Sequence, residues 1–203
     1  LTVTLADRQV KRAALEELVE YASEERNPGN TLSVVRLAVA LPSARLSEGL
    51  VLVDTPGLGS LAAAGAEETL SYLPQCDLGI VLISAVNALN EEDLSTILAL
   101  SQAGIPVMVL LSKSDLLSST DRGKASAYIR KEVQSNLGLV VDVHPVSIVG
   151  RDENLLGTWF QGELAPVFER HRELARQSVR RRTGALRESV IRALRAKLGR
   201  NGA

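Results

Sequence analysis

The first residue of this sequence that could do chemistry is an aspartate that directly follows an apolar run. Val51-Leu52-Val53 leads into Asp54-Thr55-Pro56-Gly57, a pattern typical of a buried parallel strand that carries a carboxylate to the carboxyl edge of a sheet. Open α/β folds bind their ligands at that edge. An ordinary type II turn without a function accounts for the same residues equally well. The interpretation therefore depends on the residues further along the chain.

A second carboxylate follows the apolar run 106–111, in the tetrapeptide Ser112-Lys113-Ser114-Asp115. A carboxylate at a strand end can accept hydrogen bonds from the ring N–H and the exocyclic amine of guanine, whereas adenine has no amine there. An unpaired buried carboxylate costs about 1–3 kcal/mol, which discriminates between the bases by about tenfold to a few hundredfold. Lys113 would lay its methylene stem along the base. A plain polar turn is the alternative interpretation of this tetrapeptide.

A third element ends the last predicted strand, where Pro145-Val146-Ser147-Ile148-Val149-Gly150 stands. Backbone N–H groups at Ser147 and Ile148 could donate to the carbonyl oxygen of guanine. A simple strand terminus is the alternative here.

The elements that must position these residues are predicted by hydrophobic periodicity. The sequence predicts a hairpin in residues 1–12, a helix near 15–22 and two antiparallel strands at 31–41 and 50–54. Further strands are predicted at 78–85, 106–111 and 139–149, and helices at 62–73, 90–103 and 120–137. The predicted inward side chains of the last of these helices are Ala125, Tyr128, Ile129, Val133 and Leu137. Alternating strands and helices favour an α/β fold with a parallel sheet and helices on both faces.

The carboxyl-terminal segment has a helical pattern and a strong positive charge. A short helix is predicted at 152–160, and the pattern of 163–198 indicates one long amphipathic helix or two helices joined near Gly184. A helix of this length should project beyond a small domain. The predicted apolar stripe comprises Leu164, Val167, Phe168, His171, Leu174, Ala175, Ser178, Val179, Leu186, Val190, Leu194 and Leu198. Residues 164–203 hold 11 basic and 3 acidic residues, a balance of +8, against 12 minus 21, or −9, in the remainder.

Composition excludes several classes of protein. The only cysteine, Cys76, rules out an intramolecular disulfide, and one thiol with two histidines gives no basis for a structural zinc site. No apolar run reaches the length of a membrane span, and no secretory signal is recognisable at the amino terminus. A cytoplasmic protein, peripheral at most to the inner membrane, is expected. Because the sequence does not begin with methionine, we expect it to begin inside a larger protein.

The three elements, in this order and each at a strand end, resemble the GTPases of the translation-factor-related P-loop class. The D-x-x-G box is matched by Asp54-Thr55-Pro56-Gly57, the [N/T]-K-x-D box by Ser112-Lys113-Ser114-Asp115, and Ser147 stands at the third guanine loop. Within that class, 51–60, Tyr72-Leu73-Pro74-Gln75-Cys76-Asp77 and 15–28 resemble bacterial dynamin-like proteins.

The resemblance implies a three-layer α/β fold with a parallel or mixed sheet of the P-loop GTPase type, followed by the long amphipathic helix. It places a truncated GTPase domain at 1–162 and a helix leading into a helical bundle or neck at 163–203. It implies GTP or GDP and Mg²⁺ as ligands, with Asp54 holding Mg²⁺ through a water and the Gly57 amide sensing the γ-phosphate. The implied nucleotide-binding residues are Asp54, Thr55, Gly57, Ser112, Lys113, Asp115, Ser147 and Ile148.

Departures from the family pattern limit the functional prediction. No G-x-x-x-x-G-K-[S/T] occurs in the chain, although that loop and its lysine hold the β- and γ-phosphates. We expect the loop to lie upstream in the parent protein and expect this chain alone to be inactive. Ser112 replaces the usual Asn or Thr, and Leu58 stands where small GTPases keep a water-orienting glutamine. No catalytic residue is assigned.

The predicted function is that of a GTP-binding and GTP-hydrolysing dynamin-like module that couples nucleotide state to membrane remodelling. The alternatives are a non-catalytic assembly or partner-binding module and a ribosome- or RNA-associated GTPase. The expected partners are a guanine nucleotide and further copies of the protein, through the GTPase domain and the helical bundle. For the basic run Arg180-Arg181-Arg182, a solvated helix face is favoured over an anionic membrane surface, and nucleic acid is not expected to bind.

Overall fold

A computed structural model describes residues 1–43, 46, 49–55, 75–87, 89–149 and 154–200, apart from the side chains of 196 and 198–200. The predicted helix at 62–73 and Gly57 lie outside the described residues. The chain divides into two compact units, Leu1–Val51 and Leu52–Ala203.

The first unit is a small antiparallel sheet with a helical connection. Strands β1 (Thr2–Leu5) and β2 (Val10–Arg12) form the predicted hairpin, and β3 (Val34–Ala38) pairs with the other side of β1, so the strand order is β2-β1-β3. A 3₁₀ turn at Leu15–Glu17 leads into α1 (Leu18–Ala22). A second 3₁₀ turn, Pro28–Asn30, precedes β3. The buried Asn27 side chain holds this connection by donating to the Tyr21 carbonyl at 2.9 Å and accepting from the Leu32 amide at 2.9 Å.

The prediction of a strand at Leu50–Asp54 is wrong. These residues belong to no strand, and β3, which is shorter than predicted, pairs with β1. A strand becomes stable when its backbone groups pair with a neighbouring strand and its apolar side chains are covered. Val51, Leu52 and Val53 are instead exposed, so their apolar sequence did not by itself produce a strand.

The second unit contains the predicted parallel sheet. Strands β4 (Gly79–Ser84), β5 (Val107–Ser112) and β6 (Asp142–Pro145) lie in the order β4-β5-β6, and both pairings are parallel. Helix α2 (Glu91–Gln102) connects β4 to β5, and α3 (Ser119–Leu137) connects β5 to β6. Asn90 caps α2, because its side chain accepts a hydrogen bond from the Asp93 amide at 2.9 Å. Strand β6 covers only part of the predicted range 139–149.

Side chains alternate between two apolar clusters on the two faces of this sheet. Val109 and Leu111 of β5 belong to the cluster that holds Ile97 of α2 and Ile129 and Val133 of α3. Leu110 between them belongs to a second cluster, which includes Val146, Trp159 and Leu164. The prediction of helices on both faces is therefore confirmed. Tyr128 is half-exposed, so its predicted inward position was wrong.

The carboxyl-terminal segment is helical, and its break lies at a different position from the predicted one. Helix α4 (Leu155–Trp159), a π turn (Phe160–Leu164) and α5 (Ala165–Glu169) precede α6 (His171–Arg200). The break falls at Arg170, with φ −106° and ψ 17°, and α6 runs through Gly184 without interruption. The inward face of α6 includes Leu174, Ser178 and Ala185, whereas Val179, Leu186, Val190 and Leu194 of the predicted stripe are exposed.

Candidate nucleotide-binding site

The site forms at the carboxyl ends of two parallel strands. The register between β4 and β5 places Ser84 opposite Ser112, so both strands end at the same edge. The Ser112 hydroxyl donates to the carbonyl oxygen of Ile83 at 3.3 Å. Ser112 therefore fastens the end of β5 to its neighbouring strand.

Directly after β5, the chain turns sharply at a lysine. Lys113 has φ 57° and ψ 31°, the left-handed conformation that costs a residue with a side chain about 1–2 kcal/mol. The Leu116 amide donates to the Lys113 carbonyl at 3.1 Å and closes a 3₁₀ turn over Ser114–Leu116. Strained backbone of this kind persists where surrounding contacts hold it, and it is concentrated at functional sites. The turn leaves Lys113 and Asp115 exposed and directs Ser114 inward.

Ser114 provides the contacts that hold this turn. Its side chain is fully buried, and its hydroxyl donates to the Leu111 carbonyl at 2.6 Å. The Ser114 amide donates to the Val146 carbonyl at 3.1 Å, and the Val146 amide donates back to Leu111 at 2.9 Å. These bonds join the loop after β5 to the loop after β6, so the two predicted base-binding loops are one structural unit.

Asp115 and Ser147, 32 positions apart, meet across this unit. The buried Ser147 hydroxyl donates to Oδ1 of Asp115, and Ser147 Oγ also accepts from the Val149 amide at 3.0 Å. Within the described part of the chain, no hydrogen bond reaches Oδ2 of Asp115. A carboxylate that is held through one oxygen can use its other oxygen to accept hydrogen bonds from a planar ligand that presents N–H donors.

The two loops predicted to bind the base thus lie together, whereas the other predicted site residues do not join them. Asp54 and Thr55 are exposed and lie outside any strand. Among the described residues, no hydrogen bond or ion pair joins Asp54 to the loops. Ile148 is 88% exposed, which leaves its backbone as the part that could contact a ligand.

Two features of the site are not predicted by the sequence. One is the left-handed Lys113 with its buried neighbour Ser114, which the sequence signals only as a polar tetrapeptide. The other is the Ser147 side chain, since only backbone N–H contacts were predicted for its loop. The sequence gives one signal for the contact between Asp115 and Ser147, namely that each residue follows the end of a predicted strand. That signal does not specify a side-chain contact.

Two negative findings hold for the residues that the structure describes. They contain no helix of sufficient length and apolarity to cross a bilayer. They also contain no group of three or more His, Cys, Asp or Glu residues arranged to hold a metal ion. A lone carboxylate such as Asp54 remains compatible with Mg²⁺, which proteins often hold through one or two carboxylates together with waters and substrate phosphates.

Comparison with known proteins gives a family match along nearly the whole chain. The family described as "Elongation factor Tu GTP binding domain" matches residues 2–192. Dynamin-like protein 1 of Campylobacter jejuni is 26% identical over 149 residues, 72% of this chain and 19% of the relative. GTPase Der of Chlorobium phaeobacteroides is 30% identical over 118 residues, 55% of this chain and 26% of the relative. The chain thus spans about a fifth to a quarter of the length of these relatives.

A solved structure of an oligomerised bacterial dynamin pair, described in terms of long-range sensing and tethering of membranes, has a TM-score of 0.40 to this chain. It is 20% identical and covers 73% of this chain and 25% of its own.

Proposed function

The chain belongs to the elongation factor Tu GTP-binding domain family, and from this membership we propose that its paired loops after β5 and β6 hold a guanine base. The observation that carries the proposal is the hydrogen bond from Ser147 to Asp115. It fixes the Asp115 carboxylate at the sheet edge where α/β folds bind ligands. Ser112, Lys113, Ser147 and Ile148 complete the proposed base site.

Guanine fits this carboxylate because of its hydrogen-bonding pattern. Its ring N–H and exocyclic amine are adjacent donors, and Asp115 supplies acceptors only. Adenine presents an acceptor at that edge, so a carboxylate covered by bound adenine would stay unpaired at a cost of about 1–3 kcal/mol. The methylene stem of Lys113 would cover the face of the base.

We assign the phosphate and Mg²⁺ contacts to Asp54, Thr55 and Gly57. A Mg²⁺ ion at Asp54 would neutralise phosphate charge, and the Gly57 amide would respond to the γ-phosphate. No Walker-type loop occurs within residues 1–203, so GTP hydrolysis requires a phosphate-holding loop from outside this chain. In this proposal 1–162 is the GTPase domain and 163–203 leads into a helical bundle.

The biological role we propose is that of a dynamin-like module that couples nucleotide state to membrane remodelling. It is supported by the similarity to Dynamin-like protein 1 over 149 residues and by the 30-residue helix α6, which follows the proposed GTPase domain in the sequence. Self-association, a cytoplasmic location and peripheral contact with an anionic inner-membrane surface belong to the same proposal.

A second candidate is an assembly or partner-binding module without turnover. The missing phosphate loop and the exposed Val51-Leu52-Val53 favour it, because a domain that binds no nucleotide could offer exposed apolar residues to a partner. Nucleoside binding separates the two candidates. If the native chain shows no preference for guanosine over adenosine, the assembly module is the better description.

Nucleosides test the base site independently of any phosphate site. We expect saturation-transfer NMR at about millimolar ligand to show that the chain binds guanosine roughly tenfold or more tighter than adenosine.

Asp115→Asn replaces an acceptor by a donor, and xanthosine has a carbonyl where guanosine has the amine. The variant should therefore prefer xanthosine. Asp142→Asn, an exposed change on β6, is the control and should leave the preference unchanged. An unaltered guanosine preference in Asp115→Asn would contradict the assignment.

A further inference from the structure

One face of α6 packs against the rest of the second unit, which we call the sheet unit, and is held there by an ion pair and a close backbone contact. Ser178 is fully buried, and Arg182 Nη2 lies 2.8 Å from Asp77 Oδ1. The Arg181 carbonyl packs on Gly104 so closely that a Cβ at Gly104 would lie 3.1 Å from the oxygen. These contacts set the rotation of the helix about its axis. They therefore determine which side chains point away from the sheet unit.

A regular row of small and aliphatic residues runs along α6, about a quarter-turn from the fixed face. We call it the aliphatic seam; it consists of Val179, Thr183, Leu186, Val190 and Ala193. Its spacing of four, three, four and three residues is that of the a and d positions of a coiled coil. The β-branched Thr183 and Val190 occupy a, and Leu186 occupies d.

The aliphatic seam is uncovered within the described part of the chain. Val179 is 59% exposed, Leu186 66% and Val190 48%, and Leu194 beside the seam is 55% exposed. Scattered apolar residues on a surface need no explanation, but a row at heptad spacing is the pattern of a helix-packing surface.

Charge selects among the possible occupants of the seam. Its outer edge carries Arg180 and Arg187, both exposed and both at e positions, and at the inner edge Arg182 is paired with Asp77. In a parallel pair of identical helices, Arg182 at a g position would face Arg187 of the second copy at e, which is repulsive. The seam also lacks the Trp or Phe side chains typical of helices that lie in a membrane interface.

We propose that the aliphatic seam binds an amphipathic helix whose own apolar row is flanked by Asp or Glu residues, and not a second copy of α6. The apolar rows interlock, and the acidic flank pairs with Arg180 and Arg187. This inference deepens the proposed bundle role of α6 and rests on it. It names the chemistry of the partner helix, which the family membership leaves open.

A pair of designed peptides tests the proposal. The acidic probe has four heptads with Val at a, Leu at d and Glu at every e and g position, and the basic probe carries Lys at e and g. Titrated into the chain without nucleotide, the acidic probe should bind at least about tenfold tighter than the basic probe, and added salt should reduce the difference.

Substitutions on α6 locate the binding surface. Leu186→Asp should weaken binding of the acidic probe at least about tenfold. Arg187→Glu should weaken the acidic probe and strengthen the basic one. The control Arg195→Glu makes the same charge change on the opposite side of the helix, where Arg195 is exposed, and should leave both affinities nearly unchanged.

The proposal would be overturned if the acidic probe did not bind, or if Arg187→Glu and Arg195→Glu weakened its binding equally. It would also be overturned if the chain self-associated, or bound phosphatidylserine vesicles, in a way that Leu186→Asp abolishes. Because nucleotide is absent, each outcome leaves the base-site proposal to its own nucleoside test.

Discussion

At the scale of single residues, the site depends on how one carboxylate is oriented. Asp115 is exposed, and its position is set by the Ser147 hydroxyl and by the buried Ser114. A side chain that is already held in one rotamer loses little conformational entropy when a ligand binds. A pre-oriented carboxylate therefore binds a base more tightly. Ser147 is therefore a positioning residue for the proposed base contact.

Ser147→Ala should reduce guanosine affinity about tenfold while the chain remains folded, since a hydrogen bond to a charged group contributes about 1.5–3 kcal/mol. The reduction should be specific to bases that pair with Asp115 and smaller for adenosine. NMR titration of both nucleosides measures it, with the exposed Ser119→Ala on α3 as control. Equal losses for guanosine and adenosine would show that Ser147 acts only on the general structure of the loop.

At the scale of elements, two glycines with similar backbone angles have different surroundings. Gly104 follows α2 with φ +74°, and a Cβ there would meet the Arg181 carbonyl of α6 at 3.1 Å. Gly138 ends α3 with φ +69°, and a Cβ there would meet nothing within 4 Å. The first glycine permits a helix to dock, whereas the second only ends one.

Gly138→Ala should lower the free energy of unfolding by about 1–2 kcal/mol, the cost of a side chain in left-handed backbone. Gly104→Ala carries the same cost and in addition requires the Arg181 backbone of α6 to shift by a few tenths of an ångström, so the loss should be larger. Urea denaturation of both variants gives the comparison. If the two losses are equal, the contact between Gly104 and Arg181 contributes nothing measurable.

At the scale of the whole molecule, residues 105 positions apart meet where α6 docks. The Asp77–Arg182 pair lies beside Cys76, which packs against the apolar cluster that contains Val109 and Ile97. Burial raises the pKa of the Cys76 thiol, the Asp77 charge raises it further, and Arg182 lowers it. The docking of α6 therefore has an effect on a thiol just before β4.

The pH dependence of Cys76 alkylation reports this arrangement, because only the thiolate reacts. Asp77→Asn removes a negative charge, so the pKa should fall and the iodoacetamide rate at pH 8 should rise. Arg182→Gln removes a positive charge, so the pKa should rise and the rate should fall. Arg195→Gln, on the outer side of α6, should leave the profile unchanged. Identical profiles in all variants would mean that α6 does not dock at this point in solution.

Local patterns in the sequence were sufficient to predict the fold class and the order of the site elements. Apolar runs alternating with amphipathic segments predicted β4, α2, β5, α3 and β6, because those patterns depend on local periodicity. The caps at Asn90 and Gly138 are local as well, because each depends on a single residue at a helix end. The motif order placed Asp115 and Ser147 at strand ends for the same reason.

Features that depend on distant partners became visible only in the folded chain. Leu50–Asp54 has a strand-like sequence but no strand beside it in the described residues, and pairing is a non-local condition that composition does not encode. The left-handed Lys113, the contact between Ser147 and Asp115, and the break at Arg170 each depend on packing. The same holds for α6: its sequence shows an apolar stripe, and docking on Gly104 and Asp77 decides which of those residues remain exposed for a partner.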